Sequence, residues 1–313
     1  MAGAKAEFMQ PIVANPGERT HLAHSRRSRY RLAMFLIGST PALASVLLAS
    51  SSLTAATSTS MEALRIAERL PAEVVRAAAI GSPRRTDESS RVRLTLEAGA
   101  VFSNRNDVRS PGDTGTQFSL NDLTSEGPFP VGRVTLEHDI NERHGLRFLY
   151  APVRTDGTGT LKKTVNFENE TFNAGQARAD YQFDTYRLAY RYRFWNTETW
   201  DWKGGVTALV RDASIEVSQG GRKASKTDLG VVPLLNLTGE WSFADRWVSV
   251  FDFEGSAAPQ GRAFDVALTL GYDISPGLRA SIGYRTIEGG ADNDAIYTFT
   301  WVNSAIASLR WSL

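Results

Sequence analysis

The side chains that could do chemistry are few and unevenly placed. The 313-residue chain has no cysteine and four histidines, His21, His24, His138 and His144. Without cysteine there are no disulfides, thiolate zinc sites, iron–sulfur clusters or cysteine nucleophiles. His138 and His144 flank a short turn, and strand parity turns His138 toward an apolar face. His144 lies beside Glu142 in the same solvated turn, and no serine stands near either ring as nucleophile–base chemistry requires. Carboxylate pairs do acid–base work when their surroundings split their pKa values. Glu288, Asp292 and Asp294 in GYRTIEGGADND lack the twelve-residue calcium-loop pattern and read as an Asp/Asn/Gly turn, as do Asp107 and Asp113. GQARAD and SQGGRKASK join glycine to basic residues, but neither follows a strand into a helix as a phosphate loop does. No cofactor or metal site emerges. What remains is a charge pattern: Arg133, Arg147, Arg187, Arg191, Arg193, Lys203 and Arg211 precede a block containing Glu240, Asp252, Glu254 and Asp265.

The elements that must position those charges have a period of two. From Arg91 onward, apolar and polar residues alternate. Val92, Leu94, Leu96, Ala98, Ala100 and Phe102 oppose Arg93, Thr95, Glu97, Gly99 and Ser103. Tyr186, Leu188, Tyr190, Tyr192 and Phe194 oppose Arg187, Ala189, Arg191 and Arg193. The pattern predicts roughly ten strands, at 91–103, 127–140, 145–153, 179–194, 200–217, 228–243, 247–257, 262–272, 278–288 and 296–313, with eight or twelve as alternatives. Asn141–His144, Trp195–Thr199, Ala244–Arg246 and Asp273–Gly277 read as short turns. Segments 104–126, 154–178, 218–227 and 289–295 read as longer loops, with 258–261 the exception. Aromatic residues gather near the two ends of the strands.

The first ninety residues follow other rules. Arg26, Arg27, Arg29 and Arg31 precede the apolar stretch Leu32–Leu48, and small residues follow at Ala44 and Ala56. This is the order of a secretory signal, so 1–57 reads as a leader. A membrane anchor is the alternative, against which Pro41 and the Ser/Thr-rich run from Ser50 count. Residues 58–90, rich in Ala, Glu, Leu and Arg, read as a helical or flexible segment. Across the chain, 35 Lys+Arg balance 34 Asp+Glu, leaving no general electrostatic drive toward nucleic acid. A mean hydropathy of −0.26 argues against a polytopic helical membrane protein but leaves open a membrane barrel, whose alternation dilutes its apolar residues.

Alternating strands, sorted loop lengths and two aromatic groups together resemble bacterial outer-membrane β-barrel proteins over residues 90–313. The resemblance is architectural, and the terminal SLRWSL departs from the class in ending on Leu313 after Trp311. It implies an all-β, antiparallel up-and-down transmembrane barrel in the Gram-negative outer membrane, with 58–90 in the periplasm. The implied partners are outer-membrane lipid, lipopolysaccharide and the barrel-assembly machinery, and the implied state is a monomer. Arg222, Lys223 and Lys226 form an exposed basic loop that could meet lipopolysaccharide. Polar faces turned inward would set the basic residues of strands two to five against the acidic residues of strands six to eight. Such pairs would largely fill a small lumen. The expected function is a non-enzymatic structural or surface-binding protein, or a narrow solute channel. The class also includes omptin proteases, phospholipases and lipid A deacylases, so a membrane-embedded hydrolase using loop or luminal carboxylates is the runner-up. A soluble barrel carrying a hydrophobic ligand would leave a large apolar belt in water.

Overall fold

A computed structural model describes residues 91–313; the leader and the 58–90 segment lie outside the described residues. Ten long strands form the wall: β1 (Val92–Arg109), β3 (Phe129–Asp139), β4 (His144–Leu161), β7 (Gly175–Asn196), β8 (Trp200–Gln219), β9 (Arg222–Ala244), β10 (Trp247–Ala258), β11 (Gly261–Ser275), β12 (Leu278–Asp292) and β13 (Tyr297–Ser312). Short strands β2 (Phe118–Ser119), β5 (Val165–Phe167) and β6 (Glu170–Phe172) belong to the connections. Each long strand pairs antiparallel with the next, and β13 returns to β1 in register from Arg93↔Ser312 to Arg109↔Tyr297. The result is a closed ten-stranded up-and-down barrel, as the alternation implies. Every predicted strand coincides with one of the ten.

The short turns share one rim. Asn141 Oδ1 accepts hydrogen bonds from the Arg143 and His144 amides, each at 2.9 Å, and so closes the β3–β4 turn. Thr197 Oγ1 accepts the Trp200 amide at 3.0 Å in the β7–β8 turn. The β1 register shifts between Ser103 and Arg105. Beyond this bulge Asn106, Val108 and Ser110 are buried, so inward parity passes from odd to even residues.

The opposite rim departs from expectation. Much of the sequence read as long loops is strand. The 154–178 stretch continues β4 to Leu161 and resumes as β7 at Gly175, and 218–227 contracts to a turn at Gly220–Gly221. The cause is a change of polarity. Beyond Tyr150 and Tyr186 the outward residues become Arg154, Asp156, Asp180 and Gln182, while Ala177, Ala179, Ile215 and Val217 are buried. A strand with reversed faces does not continue the pattern that marks the strands below. Gly220 and Gly221 have φ of 57° and 84°, where a side chain is strained. Gly221→Val should cost about 1–2 kcal/mol at this tip. Amide exchange should accelerate from Glu216 to Ala224 and stay unchanged from Val206 to Val210.

Candidate functional site

Alternation sorts the wall into two surfaces. On β7, Arg187, Ala189 and Arg191 are buried, whereas Tyr186, Leu188 and Tyr190 are 40%, 55% and 41% exposed. Leu136, Phe148, Val206, Leu235, Leu268 and Ile282 continue the exposed apolar surface around the barrel. From Tyr186 to Phe194, at about 3.3 Å per residue and a tilt of about 40°, the belt is roughly 20 Å tall. At the short-turn rim Trp200 stacks on Trp202 and Trp241 at centroid distances of 5.8 and 5.3 Å, and Trp247 meets Tyr272 at 4.9 Å. At the far edge of the belt Tyr150 stacks on Tyr186 at 4.9 Å. Such a belt is stable only against hydrocarbon, and a closed ladder leaves no backbone edge there to desolvate. This is a transmembrane barrel of the bacterial outer-membrane type.

Its interior is a lattice of ion pairs that crosses the lumen. Asp265 on β11 accepts from three guanidiniums: Arg133 of β3 at 2.9 Å, Arg187 of β7 at 2.8 Å and Arg285 of β12 at 2.5 Å. Glu254 on β10 binds Arg187 at 2.6 Å, pairs with Arg147 of β4 and accepts Thr207 Oγ1 at 3.0 Å. Arg147 also reaches Asp252 at 2.8 Å. Arg133, Arg147, Arg187, Glu254 and Asp265 are all buried. Basic and acidic strands face each other and are joined by buried, charge-assisted hydrogen bonds.

The other expected luminal charges are placed differently. Arg191 pairs with Glu137, and Glu240 binds Arg279 and Arg310, each at 2.9 Å. Arg193 and Lys203 do not reach the acidic wall; they lie near Asp201, at 2.9 and 3.4 Å, toward the short-turn rim. Arg211 pairs with Asp228 on the adjacent strand, at the other end. Sequence reasoning left Arg93, Glu97, Glu137, Asp139, Asp273, Arg279, Arg285 and Arg310 out of the lattice, although all share its inward parity. Arg285 bridges Asp265 and Glu97, and Arg93 bridges Glu137 and Asp139. The signal was present, because charge at an inward position of any strand is enough; grouping strands as basic or acidic hid it.

Above the lattice the interior becomes apolar. Val108, Phe118, Leu120, Leu123, Leu161, Val165, Phe167, Phe172, Ala177, Ala179, Ile215, Val217 and Ala224 form one buried cluster. Its center is the β5–β6 hairpin, folded inward so that Val165, Phe167 and Phe172 are fully buried. Phe118 meets Phe167 edge-on at 5.9 Å. The hairpin turns at Glu168 and Asn169, both at positive φ. Ser110 Oγ donates to Glu168 at 2.5 Å, the Glu168 amide donates to Ser110 O at 3.0 Å, and Lys226 lies 3.3 Å from the carboxylate. On the outside, Lys162 donates to Asp122 at 2.6 Å, which raises its pKa above the usual lysine value.

The arrangement offers little for catalysis. His144 Nδ1 lies 2.5 Å from Tyr190 Oη at the short-turn rim, and His138 is on the outward face paired with Val92. Ser110 and Glu168 resemble a nucleophile and base in composition, but Ser110 is fully buried. Glu288 pairs with Arg262, and the Asp294 carbonyl accepts the Gly112 amide. Among the described residues no group of three acidic or histidine side chains could hold a metal ion.

No family model and no curated protein matches the sequence. Among solved structures the chain is similar to the outer membrane protease OmpT of Escherichia coli, with 10% identity, 75% of this chain and 100% of that chain covered, and a TM-score of 0.44. It is also similar to the translocator domain of the autotransporter NalP of Neisseria meningitidis (12% identity, 82% and 98% covered, TM-score 0.38). A third is Ail, the attachment invasion locus protein of Yersinia pestis (11%, 69% and 97%, TM-score 0.30).

Glu254 is the most informative lattice position to test. Glu254→Gln leaves Arg147 and Arg187 facing a neutral amide and should destabilise the barrel by about 3–5 kcal/mol. Thr207→Val, which removes a hydroxyl that donates to Glu254 and accepts from Asn236 Nδ2, should cost less, about 1–2 kcal/mol. Urea unfolding of both variants in micelles measures the difference.

Proposed function

We propose that the protein is a sealed, non-conducting outer-membrane barrel that displays a folded extracellular head, and so acts as a structural or surface-binding protein. What supports this reading is that two different sets of side chains fill the lumen, ion pairs at one level and a buried apolar cluster at another. At membrane depth, guanidiniums from β3, β4 and β7 reach across to carboxylates on β10 and β11, and Arg285 joins them from the neighbouring β12. Beyond the membrane, the inward hairpin closes the mouth with aromatic and aliphatic side chains. A permeant ion would have to separate buried charge pairs, at the cost of leaving charges uncompensated, and would then meet an apolar layer.

The short-turn rim, from which β1 begins and at which β13 ends, is on the periplasmic side in this reading, and residues 58–90 lie there as a tether. Lipopolysaccharide surrounds the outer half of the belt, the barrel-assembly machinery inserts the chain, and the barrel works as a monomer. The hydrolase reading has less support. The luminal carboxylates are engaged by arginines, and the fully buried Ser110 bonds Glu168 in holding the cap together.

Single-channel recording of refolded protein in a planar bilayer tests the proposal, with and without residues 58–88. Silence in both forms is expected. Discrete openings in the full chain would overturn the sealed reading in favour of a narrow charged path. Openings only after truncation would instead assign the seal to the N-terminal segment.

A further inference from the structure

The barrel wall is unequal in height, and this leaves a strand edge open. β9 pairs with β8 along its whole length, from Gln219↔Arg222 to Trp200↔Trp241. Its pairing with β10 runs only from Trp247↔Ala244 to Gly255↔Leu235. β10 then turns into β11 at Gly261, so β9 from Arg222 to Leu234 has a strand on one side only. Pro233 stands where the β10 ladder stops and has no amide hydrogen to continue it. Among the described residues, no backbone hydrogen bond outside the β8 ladder involves Lys223–Val232. The matching edge of β4 differs, because Asp122 and Leu123 pack closely on Gly157 and Gly159 there.

The edge has a distinct chemistry. Its far end carries Arg222, Lys223 and Lys226. Lys223 and Lys226 have carboxylate partners in Glu216 and Glu168, whereas Arg222 donates only to the Thr171 carbonyl, at 2.9 Å. Nearer the membrane, Leu229 and Val231 are 75% and 70% exposed, the highest values among the large apolar side chains. Leu229 is opposite Asp212, itself opposite Asp184, in a row that is already polar. Leu229 is therefore an apolar side chain above the belt rather than part of it.

We infer that this edge is a strand-addition site for an extended segment of an extracellular protein, acidic at the end that meets Arg222 and Lys223 and apolar where it passes Leu229. The unpaired backbone groups supply a ladder, and alternate side chains of the incoming segment select for charge and apolarity. Two other occupants fit less well. Chain preceding Val92 leaves from the opposite rim, because Val92 pairs with His138 beside the β3–β4 turn. Two copies in one membrane, related by a two-fold along its normal, would bring like edges together with their outward faces on opposite sides. This inference rests on the surface-binding reading above and names its partner.

The test uses the full chain in nanodiscs. The probe is a synthetic peptide of alternating Val and Thr with two Glu at one end, and its control is the same peptide N-methylated at every second residue. Strand addition predicts that alternate amides between Lys223 and Val232 become protected from exchange. It also predicts that N-methylation weakens binding by about tenfold or more. Lys223→Gln, which removes an exposed charge and leaves the Arg222–Thr171 bond in place, should weaken the unmethylated peptide several-fold while changing thermal unfolding little. Equal binding of the two peptides, or no protection on β9 at saturating peptide, overturns the inference. Protection produced by lipopolysaccharide micelles and not by the peptide also overturns it and makes lipid the occupant. Conductance of the same nanodisc preparation, after fusion to a bilayer, keeps the readings separable. Openings would sink the sealed barrel without touching strand addition, and silence without protection would sink strand addition alone.

Discussion

The ladder joining β1 to β13 is the constraint on which the rest of the structure depends. Inside hydrocarbon an unpaired backbone amide or carbonyl costs several kcal/mol, so the sheet must close. Closure at ten strands sets a bore that side chains can span. It also fixes parity, since each residue in the membrane faces either lipid or lumen. The inward set contains many charges, and they are tolerable only because the bore is narrow enough for opposite strands to touch. Asp265 shows the relation most directly. It draws arginines from β3 and β7, brought within reach by the closed circumference, and a third from the neighbouring β12.

Polarity then inverts at one level. Below Tyr150 and Tyr186 the wall is apolar outside and charged inside; above them it is polar outside and apolar inside. The two halves follow one rule in two solvents. Each presents to its surroundings the face that those surroundings solvate and fills the remaining space with the other. Water solvates Arg154 and Asp156, so the inner face above the membrane is free to build an ordinary hydrophobic core, and the β5–β6 hairpin supplies the missing layer.

This inversion also sets how much was legible in the sequence. The ten strands and the short turns could be read because, within the membrane, apolar residues such as Leu94, Leu188 and Leu268 fall strictly on alternate positions. The extensions were hidden because Ala177, Ala179, Ile215 and Val217 carry the alternation in opposite phase, and small alanines mark it weakly. The β5–β6 hairpin has only three residues per strand, too few for a periodic signal. In the lumen, parity assigns a face of the wall, and Arg133, Arg147, Arg187, Glu254 and Asp265 are buried. It could not specify partners, because those depend on curvature across the barrel. Arg193 and Lys203 have the same parity but lie against Asp201, and Arg211 pairs with Asp228 on its neighbour, choices of partner that one strand's pattern does not record.

The cap and the tall wall are mutually dependent. A two-stranded ribbon standing in water is marginal by itself, and the upper part of β9 has only β8 beside it. What holds it is on the inner face. Ala224 belongs to the buried cluster, Lys226 reaches Glu168 at the hairpin turn, and Arg222 donates to the Thr171 carbonyl of β6. The same hairpin needs Ile215 and Val217 on β8 to cover Phe167 and Phe172. Neither the packing of the hairpin nor the order of upper β9 can therefore be lost alone. Loosening the hairpin would fray β9 with it, whereas a strand added along β9 would give that part of the wall a third member and steady the hairpin beneath it. The inward hairpin and the tall wall are two consequences of one packed core above the belt.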